Sequence, residues 1–176
     1  MYRSLYCPSV HSPVLVVYCG LPGVGKSTVS EYTAEGLSAV RYRSDEVRYD
    51  LFENPTYTPE EIQQTYEEML DRARSDLAAG RDVVVDGTFK QASQRDRAET
   101  VARETGANLQ FVRVTCPPEV VRDRIDDRTD DASDADLSVY KQHRAEFEPL
   151  DVDHVRIDNG GSLADTREQV DQKLLG

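Results

Sequence analysis

One short segment of the sequence combines glycines, a lysine and hydroxyl groups at a spacing that binds phosphate. It reads Gly20-Leu21-Pro22-Gly23-Val24-Gly25-Lys26-Ser27-Thr28 and matches the pattern G-x-x-x-x-G-K-[ST]. The glycines let successive backbone N–H groups turn inward around phosphate oxygens, and a following helix adds the positive end of its dipole. Lys26 then reaches the β- and γ-phosphates, while the Ser27 hydroxyl is placed to ligate Mg²⁺. The segment therefore predicts a site for a nucleoside triphosphate.

Two carboxylates follow short segments that are predicted to form strands. Asp45 comes two residues after the segment Ala39–Arg43, and Asp86 ends a strand after the apolar run Val83-Val84-Val85. Ligands of parallel sheets bind outside the carboxyl ends of the strands. Asp45 would there accept a proton from an attacking hydroxyl, or it would cap the next helix, a role open also to Ser44. Asp86, with Thr88 beside it, fits an acid that holds Mg²⁺, although Asp-Gly is also a common turn pair.

Three arginines lie at helical spacings that suit a phosphoryl-transfer site. Arg48 shares a helix face with Asp45, which suggests a clamp on substrate or phosphate. Arg124 and Arg128 are four residues apart, so they share a face of the helix that precedes an acidic segment, residues 126–136. Arginines in a closing lid neutralise charge on the transferring phosphoryl group. The alternative for each arginine is a salt bridge to a neighbouring Asp or Glu.

The elements that must position these residues alternate along the chain. Helical spacing of apolar residues separates short β-type runs, and one of the helices starts at the capping sequence Thr58-Pro59-Glu60-Glu61. The alternation predicts an α/β fold, with a mainly parallel sheet and helices on both faces. Residues 1–13 show no periodicity and are predicted to form an irregular arm, with residues 14–176 as one domain. The predicted strands are Val14–Tyr18, Ala39–Arg43, Asp82–Asp86, Leu109–Thr115 and His154–Ile157.

From residue 14 to the C terminus the chain resembles the small P-loop kinases. Gluconate kinase, chloramphenicol phosphotransferase, the zeta-toxin-like kinases and the kinase domain of phage polynucleotide kinase are of this type. The resemblance implies a three-layer P-loop NTPase sandwich with a five-stranded parallel sheet in the order 2-3-1-4-5. It also implies an arginine-bearing lid at about residues 122–138 and phosphoryl transfer from ATP to a hydroxyl, with Asp45 as base or substrate ligand and Asp86 on Mg²⁺ or substrate. It rests on the phosphate-binding loop, Ser44-Asp45-Glu46-Val47-Arg48, Asp86-Gly87-Thr88 and Arg124 with Arg128.

Other classes that use the same loop lack their own signals here. A GTPase needs N-K-x-D, which does not occur in the sequence, and the ABC signature and the adenylate-kinase stretch D-G-F-P-R are also missing. The preferred interpretation is an ATP-dependent kinase with a small-molecule hydroxyl acceptor. A polynucleotide 5′-hydroxyl kinase stays open, although its substrate favours a basic channel and only Arg41, Arg43 and Arg48 cluster. A non-kinase P-loop ATPase or nucleotide-binding protein also stays open.

Composition bears mainly on the environment of the protein. The 176 residues include 33 acidic and 21 basic side chains, a formal net charge of −12, which argues against a long nucleic-acid or membrane footprint. Asp exceeds Glu and only four of the basic residues are Lys, a usage that resembles proteins of halophilic archaea. Cys7, Cys19 and Cys116 form no CxxC pair, which predicts a reducing cytoplasm. No membrane span is expected, and a monomer and a homodimer are both compatible with the sequence.

Overall fold

A computed structural model describes residues 12–126 and 137–176 of the chain. The arm predicted at residues 1–13 and the acidic segment predicted at 126–136 therefore lie largely outside the described residues. The strands in the described ranges are β1 (Val14–Cys19), β2 (Val40–Arg43), β3 (Val83–Asp86), β4 (Asn108–Thr115) and β5 (His154–Asp158). The helices there are α1 (Lys26–Leu37), α2 (Ser44–Leu51), α3 (Pro59–Ala78), α4 (Ala92–Thr105), α5 (Pro118–Asp126), α6 (Leu137–Glu146) and α7 (Leu163–Val170), and α7 runs on into a π-helical segment, Asp171–Leu175.

The five strands form one parallel sheet in the order β2-β3-β1-β4-β5, which confirms the predicted strand order. The central strand β1 pairs with β3 on one side and β4 on the other, with Val17 opposite Val85 and Phe111. Because all pairs are parallel, the carboxyl ends of β1, β2 and β3 meet at one edge. That edge carries the loop after Cys19, the start of α2 and the turn after Asp86.

Two apolar layers cover the two faces of the sheet. Side chains alternate along β1, so that Leu15 and Val17 enter the layer under α3 and α4, while Val16 and Tyr18 enter the layer under α1, α5 and α7. Burial on both faces explains why β1 and β3 read as continuous apolar runs. The apolar stripe of α3 lies in the first layer, and its members Tyr66, Met69, Ala73 and Leu77 are buried.

The side-chain caps predicted at the starts of α2 and α3 have different outcomes in the structure. Thr58 caps α3 as predicted, because its side chain accepts a hydrogen bond from the Glu61 N–H. At α2 the predicted cap is wrong: Arg43 occupies the cap position, without a side-chain cap bond, and Ser44 is the first helical residue. The Asp45 carboxylate is therefore available for another role.

Within residues 12–126 and 137–176, no helix combines the length and the apolar character needed to cross a membrane.

Candidate active site

The phosphate-binding loop connects β1 to α1, and its backbone geometry requires glycine at two places. Gly20 has φ +152°, and a Cβ there would lie 2.8 Å from the Val114 carbonyl oxygen. Gly25 has φ +85°, and a Cβ there would lie 2.1 Å from Asn159 Nδ2. The Asn159 amide donates to the Val24 carbonyl oxygen at 2.8 Å, so the loop is fixed from outside by the chain after β5. The local geometry is thus that of a backbone cradle for an anion.

Lys26 and Ser27 lie where the cradle joins α1, and both line the same cavity. The Lys26 ammonium group donates to the Leu21 carbonyl oxygen at 2.9 Å, which places its charge across the loop. Behind the loop, the Arg41 guanidinium donates to the Ser27 carbonyl oxygen at 2.9 Å. Two positive side chains therefore neutralise a carbonyl-rich turn and hold it in shape.

Asp86 lies at the end of β3, facing the start of α1. Its carboxylate is buried and accepts a hydrogen bond from the Ser30 hydroxyl at 2.9 Å. Ser30 is itself contacted by Arg41 Nη1 at 3.2 Å, so a chain of three polar side chains orients this acid. Asp86 and the Ser27 hydroxyl could hold Mg²⁺, because the ion binds hard oxygen ligands of this kind beside nucleotide phosphates.

Tyr66 fixes the turn that follows Asp86. Its hydroxyl oxygen accepts hydrogen bonds from the backbone N–H groups of Thr88 at 2.9 Å and Phe89 at 3.2 Å. A Cβ on Gly87 would lie 2.9 Å from the same hydroxyl, so only glycine lets the turn pass this close. The turn thereby presents Asp86 and Thr88 to the cavity.

Asp45 faces the phosphate-binding loop across the cavity and forms an ion pair with Arg48. Asp45 Oδ1 lies 3.1 Å from Arg48 Nη1. Burial raises the pKa of the Asp45 carboxyl above its usual value, and the positive charges of Arg48 and Lys26 offset part of this rise, while Asp86 adds to it. The Asp45 carboxylate therefore interacts electrostatically with both Lys26 and Asp86. Half-buried and aimed at this edge, it suits proton transfer better than helix capping.

The cavity has a volume of about 430 Å³ and divides into two halves. The phosphate half consists of the loop residues Pro22, Gly23 and Gly25 to Thr28 with Asp86 and Thr88. The acceptor half consists of Arg48, Tyr57, Ile62, Tyr66, Val139 and His143. Asp45 connects the two halves, because it pairs with Arg48 and its pKa is changed by the charges of Lys26 and Asp86. The volume falls within the range of about 300–1,000 Å³ that is typical of small-molecule sites.

Most of the acceptor half was missed by the sequence analysis. Its residues come from α2, the loop before α3, α3 itself and α6, and no short pattern links them. Tyr57 has one local signal in the sequence. The cap at Thr58 marks the start of α3, so Tyr57 must lie at the end of the preceding loop. His143 carries no such signal, because its helix reaches the cavity only through the tertiary fold.

The other predicted loop residues and Arg124 support the loop and do not line the cavity. Arg124 contacts the outside of the loop, where its guanidinium donates to the carbonyl oxygens of Asn159 at 2.8 Å and Val24 at 3.5 Å. Arg128 lies outside the described residues. Gly20, Leu21 and Val24 shape the loop without lining the cavity. Arg95, which follows the turn after β3, is buried and donates hydrogen bonds to the carbonyl oxygens of Phe89 and Pro149.

The sheet order and the loop between β1 and α1 define a P-loop nucleotide-binding protein with the fold of the small kinases. The chain belongs to the AAA domain family AAA_33, whose model matches residues 15–150.

Solved structures share this fold across nearly the whole chain. A sugar kinase from Janibacter sp. HTCC2649 superposes with a TM-score of 0.71 at 19% identity, over 92% of this chain and 94% of that one. A gluconokinase from Sinorhizobium meliloti 1021 gives 0.64 at 23% identity, over 90% of each chain. The Mycobacterium tuberculosis APS kinase CysC, in complex with AMPPNP and APS, gives 0.71 at 19% identity, over 94% and 99%. At these identities the likeness establishes the fold.

Curated relatives extend beyond this chain. Uncharacterized proteins of Mycobacterium tuberculosis and Mycobacterium bovis are 30% identical over 159 residues, which is 84% of this chain and 32% of each relative. The chain thus spans about a third of the length of the curated relatives that it matches.

Proposed function

We propose that the protein is an ATP-dependent kinase that transfers the γ-phosphoryl group to a hydroxyl of a small molecule, with Mg²⁺ as cofactor. The observation that carries the proposal is the position of Asp45, a carboxylate with a raised pKa that faces Lys26 and Asp86 across one cavity. A triphosphate in the loop and a hydroxyl beside Asp45 would meet between the two halves. A protein that only binds or hydrolyses nucleotide has no need of an acceptor half next to such a base.

The residues would divide the reaction as follows. Asp45 takes the proton of the acceptor hydroxyl, whose oxygen forms the new bond to the γ-phosphorus as the bond to the leaving ADP oxygen breaks. Backbone N–H groups of the loop and the Lys26 ammonium group hold the β- and γ-phosphate oxygens. Ser27 and Asp86 would hold Mg²⁺, which neutralises the charge that develops on the phosphates. Arg48 fixes the Asp45 carboxylate from the other side.

Two arginines complete the proposed machinery. We assign Arg124 and Arg128 to a lid that closes over the phosphates during transfer. Arg124 already contacts the loop at the Val24 carbonyl oxygen, so a short movement of its guanidinium would bring it toward bound phosphates. Arginines in this role add several powers of ten to the rate of phosphoryl transfer.

The wider setting of the protein is also a proposal. We propose one kinase domain over residues 14–176 with an arm at 1–13 and a lid at about 122–138, acting as a monomer or homodimer in a reducing, salt-rich cytoplasm. The free cysteines Cys19 and Cys116 and the acid-rich composition support this setting. At about 1 M salt the Debye length falls to about 3 Å, so acidic side chains at the surface repel one another little.

The proposed function is tested by γ-phosphoryl transfer from labelled ATP, measured in dilute buffer and in molar KCl. The acceptor panel contains D-glucose, N-acetylglucosamine, adenosine, uridine, D-gluconate and a 5′-hydroxyl oligonucleotide. We expect transfer to a small molecule, and Lys26→Ala should lower it by on the order of 10³-fold or more because the transferring phosphate loses its main side-chain cation. Lys173→Ala, an exposed change remote from the cavity, is the matched control and should leave transfer unchanged.

Two results would contradict the proposal. Transfer to water alone would indicate a P-loop ATPase, and transfer to the oligonucleotide alone would indicate a polynucleotide 5′-hydroxyl kinase.

A further inference from the structure

Two buried side-chain nitrogens in the cavity wall have no hydrogen-bond partner among the residues that the structure describes. They are Arg48 Nε and His143 Nδ1, and across the described parts of the chain no other buried side-chain nitrogen or oxygen is left unpaired. Both belong to the acceptor half, Arg48 from α2 and His143 from α6. Buried polar groups are nearly always paired, so two exceptions in one cavity indicate that a ligand supplies the partners.

The chemistry of the two nitrogens limits what that ligand offers. Arg48 Nε is only a donor, so it requires an oxygen or nitrogen acceptor. Burial, helped by the nearby positive charge of Lys90, lowers the pKa of His143 to about 4, so the imidazole is neutral at pH 7. A neutral ring nitrogen exchanges hydrogen bonds with hydroxyl groups rather than holding a carboxylate by charge.

The charges around the acceptor half are already balanced. Arg48 pairs with Asp45 at 3.1 Å, and Arg43 pairs with Glu46 at 3.3 Å. Lys90 pairs with Glu146 at the end of α6. A ligand carboxylate would have to compete with these partners, whereas an uncharged ligand would leave every pair intact. The balance of charge therefore favours an uncharged acceptor.

The cavity that holds the two nitrogens also has an apolar wall. Tyr57 adopts φ +58°, a conformation rare for a residue with a large side chain, and its ring lies 4.6 Å from the Arg48 guanidinium carbon. Ile62 and Val139 continue this wall. Strained backbone of this kind collects at ligand-binding sites, where the surrounding structure holds it. A flat or ring-shaped ligand face packs well on such a surface.

We propose that the acceptor is an uncharged, hydroxylated ring compound, whose oxygens bind Arg48 Nε and His143 Nδ1 while its ring packs against Tyr57, Ile62 and Val139. The proposal rests on the proposed kinase function and deepens it by naming the acceptor class. Cyclic sugars and nucleosides both present this chemistry, and separate arms of the acceptor panel distinguish them. His143 would act as a specificity-determining residue that contacts the acceptor and leaves the nucleotide untouched.

The first test is the specificity of the wild-type protein over the acceptor panel described above. We expect kcat/KM to be at least tenfold higher for the best of D-glucose, N-acetylglucosamine, adenosine and uridine than for D-gluconate or the 5′-hydroxyl oligonucleotide. A preference for gluconate or the oligonucleotide would overturn the acceptor class. A preference for gluconate would leave the small-molecule kinase function standing. Hydrolysis of ATP without transfer to any acceptor would overturn the kinase function and this inference together.

The second test replaces His143 in the full chain. His143→Phe keeps a flat ring but removes both nitrogens, and it should raise KM for the best acceptor by about tenfold or more while KM for ATP stays within twofold. His143→Asn restores a polar atom near the position of Nδ1 and should recover most of that loss. Arg144→Ala, on the exposed side of α6, is the control. An unchanged acceptor KM in His143→Phe, with ATP binding intact, would overturn the role of His143.

Discussion

The two halves of the cavity are built by different means. The phosphate half is mostly backbone, and most of it comes from nine consecutive residues that include positive-φ glycines. The acceptor half is made of side chains from α2, α3, α6 and a connecting loop, over positions from 48 to 143. Polar contacts fix the first half from behind, while the second keeps two buried nitrogens without partners in the described chain. This difference agrees with the proposed function, in which the phosphate half binds the nucleotide and the acceptor half sets the specificity.

A substitution of Ser30, which lies behind the phosphate half, should affect that half alone. Ser30→Ala removes the hydroxyl that donates to Asp86 at 2.9 Å, so the acid loses the group that orients it. We expect the Mg²⁺ concentration for half-maximal transfer to rise by about 10–100-fold, because partners of this kind commonly contribute that much to metal affinity. KM for the acceptor should stay unchanged.

The control for Ser30 is Ser75→Ala, since the Ser75 hydroxyl makes a comparable bond to a backbone carbonyl on the exposed side of α3. An unchanged Mg²⁺ requirement in Ser30→Ala would mean that Asp86 does not hold the metal.

The junction between the halves is tested by the pH dependence of kcat/KM. The proposed mechanism requires ionised Asp45, and burial raises the pKa of Asp45, so the acidic limb of the wild-type profile should lie above the pKa of a free aspartate. Arg48 lowers this pKa by its positive charge; Arg48→Gln should therefore move the limb to higher pH. Arg43→Gln should move it the same way by less, because Arg43 contributes least among the named charges. A limb that moves to lower pH would contradict the pairing.

The wall shared by both halves is tested through stability. Tyr66→Phe removes the oxygen that accepts hydrogen bonds from the backbone N–H groups of Thr88, which is partly buried, and Phe89, which is buried, so both donors lose this partner. The expected loss of unfolding free energy is about 1–3 kcal/mol, measured by urea denaturation. Tyr32→Phe removes an exposed hydroxyl bonded to Asp171 and should cost less than about 0.5 kcal/mol. Equal stability of the two variants would show that the turn does not depend on Tyr66.

The same contrast explains how much the sequence could predict. Fold class and strand order were confirmed because both depend on contiguous signals, such as the apolar run of β1. The phosphate half stays a prediction, and the structure brings its residues from Pro22 to Thr28, except Val24, to one cavity. The cap at Ser44 was wrong because Arg43 already ends β2 and begins the turn of the helix. The cap predicted at Thr58 was confirmed because its local pattern is complete, with Pro59 and Glu61 at their required positions.

Most of the acceptor half could not be predicted from short sequence patterns. Nothing near His143 in the sequence indicates that α6 packs across the cavity from Arg48, since that contact depends on how the helices are arranged on the sheet. The same holds for Arg124. Its spacing in the sequence predicts a helix face, but only the fold shows that its guanidinium contacts the loop at Val24 and Asn159.

The most direct test of the account compares Asp45→Asn with wild type in γ-phosphoryl transfer from ATP to the compound of the panel that wild type phosphorylates fastest. Asparagine keeps the size of the side chain and cannot accept the hydroxyl proton. The matched control is Asp50→Asn, an exposed change on the same helix. We predict that Asp45→Asn lowers kcat by about 10²–10⁴-fold while KM for ATP stays within about twofold. Full transfer activity in Asp45→Asn would contradict the central claim that Asp45 is the base between the two halves.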